Sequence, residues 1–169
     1  MSTFTSTTTT THTITQTATY LAETIMGSLS EILSTLGINP ARLFDDWEQD
    51  EKAITAWIAE RSLKQVRLQC HRPDSTTKPI FIFPVHYSSD GRAKEAFVDS
   101  KAAFARYQAK LASVPNGTTY SLFCTFNGSH STQPGWYAGN AASTEGLTQR
   151  SFGSLADAPH ARVSMDVYN

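Results

Sequence analysis

The 169-residue sequence has only two cysteines, Cys70 and Cys124, and both fall at alternating positions of predicted strands. Thiols so placed read as small buried side chains and not as a disulfide framework, which suits a reducing cytoplasm. Charge of either sign is also sparse. Fourteen Lys and Arg stand against fifteen Asp and Glu, a formal net charge of -1, with no dense basic stripe. Binding a phosphate backbone requires such a stripe, so nucleic acid is excluded as the main partner. No run approaches the ~20 apolar residues that span a bilayer, and the start lacks a basic segment followed by an apolar one. The expectation is a soluble, cytoplasmic chain without a membrane partner.

Catalytic and metal signatures are missing as well. His12, His71, His86, His130 and His160 are scattered, with no His-x₃-His pair and no Cys-x-x-Cys, so no metal site is expected. Cys70 and His71 are neighbours on a predicted strand, and adjacent strand residues point to opposite faces, which separates a candidate nucleophile from its base. Asp45, Asp46, Glu48, Asp50 and Glu51 crowd one helix but follow no ligand spacing, and they read as a solvated face. No Gly-x-Ser-x-Gly, Walker loop or dinucleotide fingerprint occurs. Neither a catalytic residue nor a cofactor is expected.

What is present is core-forming material: 40% hydrophobic and 11% aromatic residues, enough for one domain of this length. Residues 1–13 are a threonine-dominated run with too little apolar surface to offset its ordering entropy, and they read as a disordered arm. From Ile14, apolar residues recur at steps of three and four through Leu36, which predicts a long central helix stopped by Gly37. Asn39-Pro40 restarts the chain into a second helix, residues 41–61, with Leu43, Phe44, Trp47, Ile54, Trp57 and Ile58 as its apolar stripe.

The period then becomes two. Val66, Leu68 and Cys70 alternate with Arg67, Gln69 and His71, the pattern of a strand with one covered face. Residues 80–85 form a second strand in which Pro84 implies an edge, a bulge or an end. A polar loop over 88–94 and a third helix, residues 100–114, precede a third strand, Tyr120 to Phe126. Residues 128–162 hold no sustained period but are studded with Trp136, Tyr137, Leu147, Phe152 and Leu155. They read as an adaptable strap. Val163, Met165 and Val167 alternate in a last candidate strand.

Several blocks of the sequence carry a likeness. Thr11-His12-Thr13-Ile14-Thr15, Tyr20-Leu21-Ala22-Glu23-Thr24-Ile25, Gly37-Ile38-Asn39-Pro40, Trp47-Glu48 and Ala53-Ile54-Thr55-Ala56-Trp57-Ile58 come first. Pro134-Gly135-Trp136-Tyr137-Ala138-Gly139, Ser143-Thr144-Glu145-Gly146 and Ser151-Phe152-Gly153-Ser154 follow. Together, in this order, they resemble the bacterial HORMA-domain proteins of CBASS antiphage operons across nearly the whole chain.

The resemblance implies an α+β fold, with about three helices packed on a central, mainly antiparallel sheet and a C-terminal safety belt. Applied here it implies an arm at 1–13, a HORMA core at 14–127 and a belt at 128–169. It further implies a non-enzymatic signalling adaptor. A short closure-motif peptide would add to the sheet edge at Tyr120, Leu122, Cys124 and Phe126, under belt anchors Trp136, Tyr137, Phe152 and Leu155. In its closed state the adaptor would bind and activate a CD-NTase, a cyclic oligonucleotide synthase. An AAA+ ATPase remodeller would reset it through a handle at Thr9, Thr10, Thr11 and His12. A second HORMA protein is a further implied partner, though the short ending after Val167-Tyr168 leaves little tail to act as its closure peptide.

The residues by themselves leave two alternatives open: a peptide-capturing scaffold with no synthase partner, and a small hydrolase or transferase built from Cys70, His86 or the acidic helix. No pair of the latter groups is locked together by spacing.

Overall fold

The computed structural model describes residues 13–88 and 97–169. The arm, the Thr9–His12 handle and most of the polar loop after Ser88 lie outside the described residues. Thr13 opens the first helix with a reciprocal cap: its hydroxyl accepts from the Gln16 backbone N–H (3.2 Å), while the Gln16 side-chain carbonyl accepts from the Thr13 N–H (2.8 Å). The helix, α1 (Ile14–Leu36), ends where predicted, at Gly37, whose φ of 82° is the left-handed conformation that favours glycine. Leu21, Ile25, Leu29, Ile32 and Leu33 are completely buried, so α1 is the central rod of the core.

The expected second helix is two. α2 (Ala41–Asp45), started by the Asn39 side chain accepting from the Ala41 N–H (3.0 Å), turns at Asp46 into α3 (Trp47–Ala59). Asp46 departs from helical geometry (φ −97°, ψ 4°), which buries Leu43 and leaves Phe44 exposed and stacked on Trp47 at 5.8 Å.

The remaining elements are β1 (Leu63–His71), β2 (Thr77–Tyr87), β3 (Val98–Asp99), α4 (Lys101–Gln108), β4 (Thr119–Phe126), β5 (Gln149–Ala158) and β6 (Ala161–Tyr168). They form one sheet in the order β3-β5-β6-β2-β1-β4, and every recorded pairing is antiparallel. Val66, Leu68 and Cys70 of β1, Phe81 and Phe83 of β2, and Val163, Met165 and Val167 of β6 join the helices in a single core cluster. The α+β architecture expected from the sequence, helices on one face of an antiparallel sheet, is the one observed.

Three local expectations need correction. β2 is neither an edge nor cut short at Pro84. It lies between β1 and β6, and the ladder to β6 resumes in the same register (Ile82↔Asp166, Val85↔Val163) after passing over residues 83 and 84. A missing N–H is therefore tolerated inside the sheet by skipping a rung. The third helix stops at Gln108, six residues short of its expected end, and the chain reaches Val114, whose N–H donates to the Leu36 carbonyl (3.0 Å), through turns.

The third correction is β5, a full strand within the segment read as aperiodic. Its ladder with β6 shifts register twice, between Ser151 and Gly153 and between Ser154 and Ala156. Each shift moves the inward face by one residue and erases the alternation in the sequence. Among the described residues, no helix is long and apolar enough to cross a membrane.

Candidate functional site

Among the described residues, β4 has β1 on one side and no strand on the other, so a row of backbone donors and acceptors is left unpaired by them along its outer edge. Its register sets Tyr120, Leu122 and Cys124 opposite Cys70, Leu68 and Val66, on the helix side of the sheet. Ser121 and Phe123 face the other way, opposite Gln69 and Arg67. All four residues expected at the sheet edge, Tyr120, Leu122, Cys124 and Phe126, thus share one face of the open strand.

The chain leaving β4 turns back along α3. The Phe126 ring stacks on His130 (3.6 Å, 13°) and meets Trp57 edge-on (4.9 Å), while Trp136 meets Trp57 edge-on from the other direction (5.3 Å). The Trp57 indole N–H donates to the Ser131 carbonyl (2.8 Å), and the Ser131 N–H donates to the Glu60 carboxylate (2.9 Å). Glu60 also accepts from the Ser62 hydroxyl (2.6 Å); this bond first, and the Ser131 bond second, hold its carboxyl below the usual carboxylate range. Farther along, Gly135 (φ 80°) lies directly on the Gln49 amide, which fills the space a side chain would need.

The strap then rounds the edge of β4. Gly139 lies on the opposite face, where a Cβ would approach the Phe123 ring to 3.2 Å. Three residues on, Ala142 sits over β1 with both backbone groups taken: its N–H donates to the Gln69 side-chain carbonyl (2.9 Å), and its carbonyl accepts from the Arg67 guanidinium (3.0 Å). Beyond it, Thr148 and Asn169 exchange two backbone hydrogen bonds (2.9 and 3.1 Å), and the chain enters the sheet as β5, beside β6. Residues 127–148 therefore pass from the helix face, around the free edge, and over the back of β1 to the end of β6. Among the described residues, no backbone hydrogen bond joins this strap to β4.

Between strap and strand lies a cleft of about 440 Å³, walled by Trp57, Leu122, Cys124 and Phe126 on one side and by His130, Trp136 and Tyr137 on the other. An adjoining polar recess of about 240 Å³, reaching Arg42, Asp46, Asp50 and Tyr120, shares Leu122, Trp136 and Tyr137 with it. Burial, reinforced by Asp46 and opposed by Arg42, pushes the Asp50 carboxyl up to about 6. Burial also raises both thiols, Cys70 to about 12 and Cys124 further, so neither is a nucleophile at neutral pH. Of the four buried polar side-chain atoms without a partner among the described residues, Trp136 Nε1, Thr125 Oγ1 and Arg67 Nε all belong to this region. Such atoms are uncommon in native folds, and their concentration here leaves unmet hydrogen-bonding capacity around the free strand.

The expected belt anchors are placed in two different regions. Trp136 lines the cleft, and Tyr137, 90% exposed, stands at its rim. Phe152 packs instead against Phe104 (6.0 Å) and Tyr107 (5.6 Å), and Leu155 is buried in the core; both lie on β5, separated from β4 by β6, β2 and β1. Sequence reasoning missed Trp57, Glu60, Arg67 and Gln69. For the last two a signal existed: long polar side chains on the supposedly solvated face of β1, of which Gln69 is only 1% exposed.

The arrangement offers little for catalysis. His71 bonds to the hydroxyls of Thr77 (3.2 Å) and Ser121 (2.8 Å), on the face away from Cys70, and no cluster of three or more potential metal-ligating side chains occurs among the described residues. An open strand edge inside a strap is instead suited to accepting an extended chain.

No curated protein matches the chain. Among solved structures, the mitotic checkpoint complex contains a chain that superposes with a TM-score of 0.76 at 11% identity, covering 94% of this chain and 97% of that one. C. elegans HTP-2 bound to the HIM-3 closure motif gives 0.70 at 12% identity, covering 93% and 91%. A chain of the E. coli MS115-1 HORMA:CdnC:Trip13 complex gives 0.63 at 12% identity, covering 100% and 96%. At these identities the likeness is one of fold. The family model described as bacterial HORMA domain 2 matches residues 6–168, and with that span the chain belongs to the bacterial HORMA domain 2 family.

Proposed function

We propose that this protein is a signalling adaptor that captures a short closure-motif peptide along the outer edge of β4, beneath the 127–148 strap. In that closed state it binds and activates a CD-NTase in antiphage defence. The observation that carries this reading is the unpaired edge of β4 lying inside the strap's course. A ligand strand there gains main-chain hydrogen bonds from β4, while alternate side chains enter the cleft between Trp57, Cys124 and Trp136. The similar C. elegans structure has a closure motif bound, and the similar E. coli structure unites a HORMA protein with CdnC and Trip13, which supports a synthase and an AAA+ remodeller as partners.

The strap is rooted in β4 at one end and in β5 at the other, so a bound strand is surrounded by covalent chain. Exchange then requires the strap to part, which gives a remodeller its task. Residues Thr9–His12 serve as its handle, and the protein itself performs no chemistry.

Selection of a peptide from a random library on the full-length protein, followed by calorimetry, tests the capture step: binding is expected without ATP, and none of it with a Leu122→Asp variant. Co-purification with the CD-NTase only when that peptide is present tests the adaptor step. Deleting residues 2–13 should leave peptide binding intact and abolish opening by the AAA+ protein; a truncated chain that is opened at the normal rate contradicts the handle.

A further inference from the structure

Between its roots in β4 and at Thr148, side chains of the core staple the strap at two points of very different character. On the helix side, Ser131 is held by Trp57 and Glu60, inside a stack of four rings: Trp57, Phe126, His130 and Trp136. On the back of the sheet, Ala142 is held by two side-chain hydrogen bonds, from Arg67 and to Gln69, and presents only a methyl group for packing. Its neighbours Ala141 and Ser143 are equally small. The aromatic staple buries extensive apolar surface, whereas the back staple relies on polar contacts that each contribute little net stability. Opening therefore begins at the back.

From this we infer that Arg67 and Gln69 are positioning residues that act as the catch of the strap, and that they set how fast a captured strand is exchanged. The inference rests on the peptide-capture reading above. Both side chains are rooted in β1, a strand paired on both sides: Arg67 lies opposite Ile82 and Phe123, and Gln69 opposite Ile80 and Ser121. The catch thus stays in place whether or not the strap does. It also holds backbone atoms alone, so it closes on residue 142 whatever that residue's side chain. Because the catch is closed with or without a ligand, weakening it raises the rates of entry and of exit together.

The test uses the full-length protein and a fluorescein-labelled dodecapeptide selected on the wild type. Gln69→Ala and Arg67→Ala are expected to speed both association and dissociation about tenfold, the effect of losing one or two such bonds, with little change in Kd. Hydrogen exchange of residues 139–148 in the peptide-free protein rises in parallel, while that of α1 stays as it was. Arg67→Lys, which retains a donor, restores most of the slow exchange. Should Gln69→Ala fail to fold, Ala142→Pro removes the same N–H from the strap side.

Faster hydrogen exchange with unchanged peptide rates overturns the catch as a control of ligand exchange, and so does unchanged hydrogen exchange in variants that fold. A Kd that weakens through dissociation alone overturns it too, since that outcome makes the two residues part of the ligand site. A wild-type protein that selects no peptide overturns the capture function and the ligand role of the catch with it, whereas the hydrogen-exchange arm still reads whether 139–148 depends on these side chains.

Discussion

At the scale of single residues, the buried indole N–H of Trp136 has no acceptor among the described residues, and an unsatisfied buried donor costs about 1–3 kcal/mol. Trp136→Phe keeps a ring against Trp57 and removes that donor. The peptide-free protein should gain about 1 kcal/mol in urea unfolding, while affinity for a captured peptide falls, because the ligand carbonyl that would satisfy the indole loses its partner. A variant that loses stability and keeps affinity would remove Trp136 from the ligand site.

Asp50 makes the second residue-scale prediction. Its folded-state pKa, raised to about 6 by burial first and by Asp46 second, means that the native state holds the proton more tightly than the unfolded chain does. The resulting contribution favours folding below the ordinary Asp range near 4 and is lost as pH rises through 6. Asp50→Asn should therefore stabilise the protein at pH 7.5 by on the order of 1 kcal/mol, allowing for solvent screening of a partly exposed carboxyl, and should give no gain at pH 4. Chemical denaturation at the two pH values provides the comparison.

At the scale of elements, α1 and the strap respond to substitution in opposite ways. Leu29 is fully buried in the middle of α1, and Leu29→Ala should cost about 2–5 kcal/mol of global stability through lost burial and a residual cavity. Gly135→Ala should do its damage locally. At φ 80° a side chain is strained, and its Cβ forces the Gln49 amide at the end of that flexible side chain to swing aside, so the backbone strain and the lost Gln49 contact loosen the strap over α3. Hydrogen exchange should accelerate over 132–137 with α1 unaffected; an equal rise in α1 would mean that strap and core open as one unit.

The same contrast explains what could be read from the sequence. α1 was legible because one uninterrupted face at steps of three and four runs from Ile14 to Leu36 and meets a glycine stop. β1, β4 and β6 were legible because one side of each meets the core and the other does not. β5 was hidden by its two register shifts, and the course of the strap by its dependence on partners far away in sequence: Trp57 with Ser131, and Arg67 and Gln69 with Ala142. A side chain that bonds to distant backbone leaves no periodic trace. Thus alternation alone set Tyr120, Leu122, Cys124 and Phe126 on one face of a strand, Phe152 and Leu155 were grouped with Trp136 and Tyr137 although they lie on β5 beyond β6, β2 and β1, and the two polar residues that bond to Ala142 went unnoticed.

For the whole molecule, the proposed capture would couple to folding. On that proposal a ligand strand binds the folded sheet and not the unfolded chain, so peptide at 100 times its Kd adds about 2.7 kcal/mol. For a domain of this size, that raises Tm by roughly 5–11 °C. Thermal scans with increasing peptide should show the rise continuing with concentration; a Tm that does not move would place the peptide outside the folded domain.

The two roots of the strap sit far apart in the sheet order, one at β4 and the other beyond β6, while its middle rounds the free edge. Chain and ligand can in consequence become mechanically interlocked, as a ring is with its axle. A free peptide with slim ends could still slide out lengthwise, but a segment flanked by folded domains has no such exit. For targets of that kind, the lifetime of the complex is divorced from the strength of its contacts and follows the opening frequency of the ring.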